Sequence, residues 1–303
     1  MRTTLTAPKA IYWPVIGAFA VIYVVWGSTY LANYFAIQSI PPFLMSGCRF
    51  TAAGLALYAF TMVRKKPAPT FRQWFNAGLI GILFLAFGTG GVVWAEQYID
   101  TSMAALIVAF DPLLIMTLMW LFHKTKVGSR SWMGAGLGVI GMVLLVGQPQ
   151  LTGSRMAVWG LLAIGISMTA WATASIYVSR VELPQSRMRS TAMQMITGGG
   201  VLLIFSAAVG EFGQFDWVQV TPKSAFSWVY LVFFGSLLGF SCFNYLLMRV
   251  SPEKVATSTY VNPVVALLLG WSLNGETITG QSLLAGGILL TGVFFINTSK
   301  GPV

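Results

Sequence analysis

The chain has 303 residues, of which 56% are apolar or aromatic and 9% are charged, with a mean hydropathy of +0.75 and a formal net charge of +10. An ordinary soluble domain carries roughly a quarter charged residues, so this composition excludes a soluble globule, a disordered chain and a disulfide-rich secreted scaffold. It fits a chain dissolved in lipid.

Apolar runs of about 20 residues between turn and charge clusters predict ten transmembrane helices, at 12–34, 43–63, 73–95, 101–122, 131–147, 157–178, 190–210, 226–247, 254–273 and 281–298. Arg2, Lys9 and Ala18-Phe19-Ala20 mimic a signal peptide. The first apolar run continues well past that point, so an uncleaved helix is expected. Breakers mark the connectors: Pro41-Pro42, Pro67, Pro69, Pro149, Pro184, Pro222 and Pro252. Ten spans leave only short connectors and no room for a soluble catalytic domain.

With a cytoplasmic N-terminus, that face receives Arg2 and Lys9; Arg64, Lys65, Lys66 and Arg72; Lys124, Lys126 and Arg130; Arg180, Arg187 and Arg189; Arg249 and Lys254; and Lys300, which is 15 of the 18 basic residues. The opposite face receives Arg155 and Lys223, and Arg49 falls inside the second span. Such an imbalance orients the helices N-in and C-in. It also explains the net charge as topology and leaves no basic patch for nucleic acid.

The spans read as two copies of one five-helix unit, 12–147 and 157–298. Shifting by 145 residues places Trp26 on Trp171, Arg49 on Gln194 and Gly54 on Gly199. Later in each half the shift becomes 151, placing Gly88 on Gly239, Ala105 on Ala256, Asp111-Pro112 on Asn262-Pro263, Trp120 on Trp271 and Gly141 on Gly292. Five is odd, so the second copy is expected to sit upside down, and inverted repeats are how secondary transporters build a midplane binding site.

Trp26-Gly27-Ser28-Thr29, then Thr101-Ser102-Met103-Ala104-Ala105-Leu106 leading to Pro112, and Ala256-Thr257-Ser258 leading to Asn262-Pro263-Val264-Val265-Ala266 resemble the EamA domains of the drug/metabolite transporter superfamily. So does Gly275-Glu276-Thr277 before a glycine-rich last helix. The resemblance spans 12–298 and implies a ten-helix bacterial inner-membrane exporter of amino acids or related metabolites. Two departures stand out: His123-Lys124-Thr125-Lys126 where the second half has Gly-Glu, and the acidic Asp111 before its proline.

Asp111 lies about ten residues, or ~15 Å, into the fourth span, which is the bilayer midplane, and Asn262 lies at similar depth in the ninth. An intramembrane acid is a functional candidate by default, so Asp111 is read as a substrate-binding or proton-coupling group, with a structural ion pair as the other reading. Arg49 is near enough in depth to clamp Asp111 or Glu96, or to hold a substrate carboxylate. Tyr23, Trp26, Tyr30 and Asn33 share a face of the first helix, as Ser167, Trp171 and Val178 do on the sixth. Trp26 and Trp171 are therefore candidate cavity walls. Gln194, Asn244 and Tyr260 are further polar positions that fit the same cavity. Glu96 and Asp100 read as an outer rim, Glu276 as a turn cap, and Trp94 and Trp120 as interfacial belt residues.

Two other features are set aside. Gly136-Leu137-Gly138-Val139-Ile140-Gly141 satisfies a dinucleotide fingerprint but lies inside a span and follows no strand, so close helix packing explains it, as it does Gly198-Gly199-Gly200 and Gly286-Gly287. Arg64-Lys65-Lys66 reads as a topology signal. The two cysteines, Cys48 and Cys242, lie in separate apolar runs and read as buried hydrophobes. With a single histidine, His123, no metal site and no cofactor is expected.

The expectation is an all-α membrane protein that exports a small metabolite by alternating access, most simply an amino acid and one with an aromatic side chain, with protons as a candidate coupling ion. It would work in the lipid bilayer as a monomer or weak dimer and would not be an enzyme. The other readings are an intramembrane lipid-modifying enzyme, a channel or a non-transporting sensor.

Overall fold

The computed structural model describes residues 13–63, 68–95, 97–98, 101–147, 155–274 and 278–299, and every regular element among them is a helix. Besides a short turn of helix at Glu211–Gln214 and one of 3-10 helix at Trp217–Gln219, these are in chain order α1 (Trp13–Ile37), α2 (Pro42–Val63), α3 (Phe71–Ala95), α4 (Thr101–Val108), α5 (Asp111–His123), α6 (Ser129–Val146), α7 (Arg155–Tyr177), α8 (Arg187–Ala208), α9 (Pro222–Leu247), α10 (Pro252–Val255), α11 (Ser258–Asn274) and α12 (Gly280–Thr298). Nine helical stretches among the described residues are long and apolar enough to cross a membrane, α5 together with the end of α4 making one of them. The predicted span at 254–273 falls on α10 and the 17-residue α11.

The helix starts carry their own signals. Thr70 accepts the Gln73 N–H while the Gln73 side chain accepts the Thr70 N–H, a capping box at the head of α3. Ser186, Thr221 and Thr279 cap α8, α9 and α12 from one side only, their hydroxyls accepting the N–H of Arg189, Ser224 and Ser282. After α8 the chain turns at Gly210, whose φ of +80° a side chain would strain.

In lipid there is no hydrophobic gain from bringing two apolar helices together, so close backbone approach at small residues supplies the packing. α2 packs along α8 and α6 along α12. A Cβ on Gly199 would lie 2.6 Å from the Thr51 nitrogen, and one on Gly134 would lie 2.6 Å from the Gly292 oxygen. In the Gly136–Gly141 run, Gly138 seats the Tyr260 ring and Gly141 faces Leu289, whereas a Cβ on Gly136 would meet nothing within 4 Å among the described residues. The motif is thus one packing edge of α6.

α1 packs on α9 and α11, and α7 packs on α3 and α5. Exchanging α1 with α7, α3 with α9 and α5 with α11 turns the first set of neighbours into the second, while the α2–α8 and α6–α12 pairs map onto themselves. Both α3 and α9 contain a π-helical stretch, Ile82–Thr89 and Leu231–Phe240, which overlap under the 151-residue shift. Such π segments are frequent at functional sites.

α2 is held at both ends by charges flanking or within α8. The Glu211 carboxylate accepts the Phe43 N–H at 3.1 Å and the Leu44 N–H at 2.7 Å, while Arg189 donates to the Thr61 carbonyl at 2.9 Å and to its hydroxyl at 3.3 Å. Each charge has the sign that complements the helix dipole at its end. Arg189, expected in a connector, is therefore buried as a cap inside α8. Cys48 and Cys242 are free and only partly buried, more exposed than their apolar surroundings suggest.

Candidate functional site

A cavity of about 200 Å³ opens where α1, α2, α3, α5, α7, α9 and α11 converge. That is smaller than the roughly 300–1,000 Å³ of drug-sized sites, so it suits a small metabolite. Trp26 and Trp171 meet in its wall edge to face, ring centres 6.0 Å apart, with Phe243 5.0 and 5.1 Å from them and Phe84 4.8 Å from Trp171.

Each tryptophan rests on a glycine of the other half. A Cβ on Gly239 would lie 2.6 Å from Trp26 Nε1, and one on Gly88 would lie 2.9 Å from Trp171 Cε3. Gly88 and Gly239 are repeat counterparts, as the two tryptophans are. The indole N–H of Trp26 donates to the Gly235 carbonyl at 3.3 Å, a bond available because it lies in the π-helical stretch of α9, where main-chain pairing is loosened.

Asp111 is buried at the start of α5, and its Oδ1 has no hydrogen-bond partner among the described residues. Asn262, its counterpart on α11, is also buried, with an Oδ1 that meets no hydrogen-bond partner among the described residues. Both line the cavity. Arg49, 5% exposed, reaches the same space from α2. Its Nε donates to the Ser236 hydroxyl at 2.8 Å and its Nη1 to Asn33 Oδ1 at 3.1 Å, and its guanidinium lies 4.8 Å from the Phe50 ring centre.

The expected clamp between Arg49 and Asp111 is not formed. Among the described residues the ion pair present is Arg72–Glu182, 3.6 Å apart on the surface. Ser236 and Asn33 take donors of the guanidinium, so among the described residues it is held without an acid. Glu96, the other expected partner, lies outside the described residues, as do Asp100, Glu276 and the side chain of Tyr30.

Trp26, Asn33, Arg49, Asp111, Trp171 and Asn262 thus come together, and Ser167 joins them. Gln194, Asn244 and Tyr260 do not line the cavity. Gln194 donates back to Ser190 in α8 at 3.3 Å, Asn244 donates to the Phe240 carbonyl of its own helix at 3.2 Å, and the Tyr260 hydroxyl donates to the Ala135 carbonyl of α6 at 3.2 Å. Sequence reasoning missed Thr29, Gly235, Ser236 and Phe243. The 151-residue shift was the available signal for Gly235, since it sets that glycine opposite the bulky Phe84. On the cytoplasmic side of the tryptophans under the N-in reading, the Tyr23 hydroxyl shares a 2.7 Å hydrogen bond with the Thr257 hydroxyl, tying α1 to the turn between α10 and α11.

The family model for EamA-like transporters matches residues 13–147 and 158–298. The chain belongs to the EamA-like transporter family. It is 38% identical over 289 residues to the inner membrane transporter YedA of Escherichia coli, covering 95% of this chain and 92% of that one. It is 22% identical to the transporter YoaV of Bacillus subtilis, covering 90% of this chain and 93% of YoaV. It is 23% identical to a probable amino-acid metabolite efflux pump of Salmonella typhimurium, covering 91% of this chain and 92% of the pump. A crystal structure 18% identical in sequence superimposes on 93% of this chain and 95% of its own with a TM-score of 0.74, a likeness of fold. Together with the apolar helices, these matches make this EamA-like protein a multi-pass bacterial inner-membrane protein.

Proposed function

We propose that this EamA-like transporter exports a zwitterionic amino acid or close relative, one with an aromatic or large apolar side chain, by alternating access between two inverted five-helix halves oriented N-in and C-in. One observation carries the reading. A basic side chain and an acidic side chain, both buried, line one cavity without touching each other. An unpaired charge at membrane depth costs several kcal/mol, and a zwitterion bound between Arg49 and Asp111 would compensate both ends.

In this reading Arg49 receives the substrate carboxylate, Asp111 and Asn262 receive its amino group, and Trp26 and Trp171 flank the side chain. The exchange symmetry of the helix neighbours supports the inverted repeat, and the distribution of basic residues supports the orientation. The Tyr23–Thr257 bond then closes the cytoplasmic side. Asp111 is the group that exchanges substrate for a proton, which would make efflux concentrative. The name of the Salmonella relative agrees with the substrate class.

The test is flux from proteoliposomes loaded with labelled amino acids. Saturable, counterflow-stimulated efflux of an aromatic or large apolar amino acid is expected, and flux no greater than that of empty vesicles across a broad metabolite panel would sink the reading.

A further inference from the structure

Gly235 has a use that its repeat counterpart lacks. A Cβ on Gly235 would lie 2.5 Å from Arg49 Nη2 and 3.3 Å from Cζ, so the absence of a side chain is what gives the guanidinium its seat. Under the 151-residue shift the matching residue is Phe84, fully buried against Trp171, Phe240 and Phe243. The same comparison strips the polar partners one by one. Ser236, which receives Arg49 Nε, corresponds to Leu85. Asn33, which receives Nη1, corresponds under the 145-residue shift to Val178, and Thr29, whose methyl group lies near Gly235, corresponds to Ala174.

The second half therefore lacks every element that holds the guanidinium, and its Gln194 turns back to its own helix. Nη2 itself has no hydrogen bond to any described residue. A guanidinium carries five donors in a planar fork suited to bidentate carboxylate recognition. With Nε and Nη1 engaged by Ser236 and Asn33, the open edge at Nη2 is directed by Gly235 rather than by an acid among the described residues.

We infer that Gly235 is a specificity-determining residue. By seating Arg49 it creates a single carboxylate subsite, at one end of a cavity whose matching end is filled by Phe84, so the transporter selects aromatic amino acids over the corresponding amines and binds them in one orientation. This inference rests on the reading of the cavity as an amino-acid site.

The experiment uses the full-length protein in proteoliposomes, with labelled L-phenylalanine flux and inhibition by unlabelled L-phenylalanine or by 2-phenylethylamine, which lacks the carboxylate. For the unaltered protein the amino acid should inhibit at least tenfold more strongly than the amine. Gly235→Ala pushes chiefly the far end of the flexible Arg49 side chain, with the Thr29 methyl at 3.2 Å giving by a few tenths of an ångström, so the helix should fold, and the preference for the amino acid should fall about tenfold. Arg49→Gln, which installs the residue found at the matching position of the other half, should abolish the preference. It provides the second variant should the alanine disturb α9.

Equal weakening of both inhibitors in both variants would assign Gly235 and Arg49 to packing and overturn the inference. An unchanged preference would overturn it as well. Saturable flux of the unaltered protein with no preference for the carboxylate would overturn the inference while leaving the transport reading standing. An absence of saturable flux for any amino acid would overturn both.

Discussion

Asp111 and Asn262 occupy matching places in the two halves, but different backbones carry them. Asp111 opens α5 after a break at 109–110, with Pro112 in the first turn, where its missing N–H leaves no bond unmade. Asn262 lies within α11, which runs unbroken through Pro263. Around them the contrast widens, from Arg49, Ser236 and Asn33 on one side to Gln194, Leu85 and Val178 on the other. What both halves keep is the scaffold: the helix neighbours, the π-helical stretches and the glycine seats of the two tryptophans. Close backbone contacts accept few changes of volume. Polarity in the cavity depends on a few side chains that the scaffold does not constrain, so it is free to become one-sided.

Making the halves alike is the strongest way to break the comparison. Asp111→Asn gives both sides the same amide. It should abolish concentrative efflux while counterflow exchange survives, as measured in proteoliposomes with and without an imposed pH gradient. Concentrative transport at the unaltered level would remove Asp111 from coupling.

The shared scaffold predicts equal costs. Gly54 and Gly199 are counterparts on the α2–α8 contact, where added Cβ atoms would meet Ile196 and Thr51 main chain. Gly54→Val and Gly199→Val should each destabilise by about 1–3 kcal/mol, and thermal unfolding in detergent should show similar losses. A large loss in one and none in the other would break the symmetry of that contact.

Trp26→Ala and Trp171→Ala sharpen the same point at the cavity wall. Each removes one partner of an aromatic pair worth about 0.5–1.5 kcal/mol beyond area burial. Each should therefore raise the KM for an aromatic amino acid about tenfold and leave a small aliphatic one less affected. A loss confined to one of the two would mean that the substrate ring lies against one wall.

The smallest effect is expected at Tyr23 and Thr257, whose counterparts Met168 and Leu106 are apolar. Tyr23→Phe makes the two closures chemically alike and removes a hydrogen bond worth about 1 kcal/mol. It should raise the cytoplasmic accessibility of a cysteine placed at Ala256 about fivefold, measured by thiol labelling in inside-out vesicles. Unchanged labelling would show that this bond does not hold the cytoplasmic side closed.

Much of the architecture was legible in the residues. Long apolar runs predicted the helices, and the two-fold spacing of Trp26 with Trp171 and Asp111 with Asn262 pointed to the cavity; the helices expected from 190 and 226 start earlier, at Arg187 and Pro222, where Ser186 and Thr221 cap them. The break at 109–110 was not, because Ala109 and Phe110 carry no breaker and the turn arises as the chain accommodates Asp111-Pro112. Arg189 read as a connector charge, although it caps α2.

The sequence by itself determined that the chain is helical, apolar enough for a membrane and marked twice by one residue spacing, since run length and repeated spacing are local properties of the chain. Only the tertiary structure decided which polar side chains share the cavity. α1, α5 and α12 are apolar nearly all round, and a helix in lipid needs no polar face to mark its outer side. With no amphipathic stripe to read, Tyr260 and Gln194 looked as eligible as Asn33. Their separation depends on how α6, α8 and α9 close around them, and on a glycine at 235 that leaves Arg49 somewhere to go.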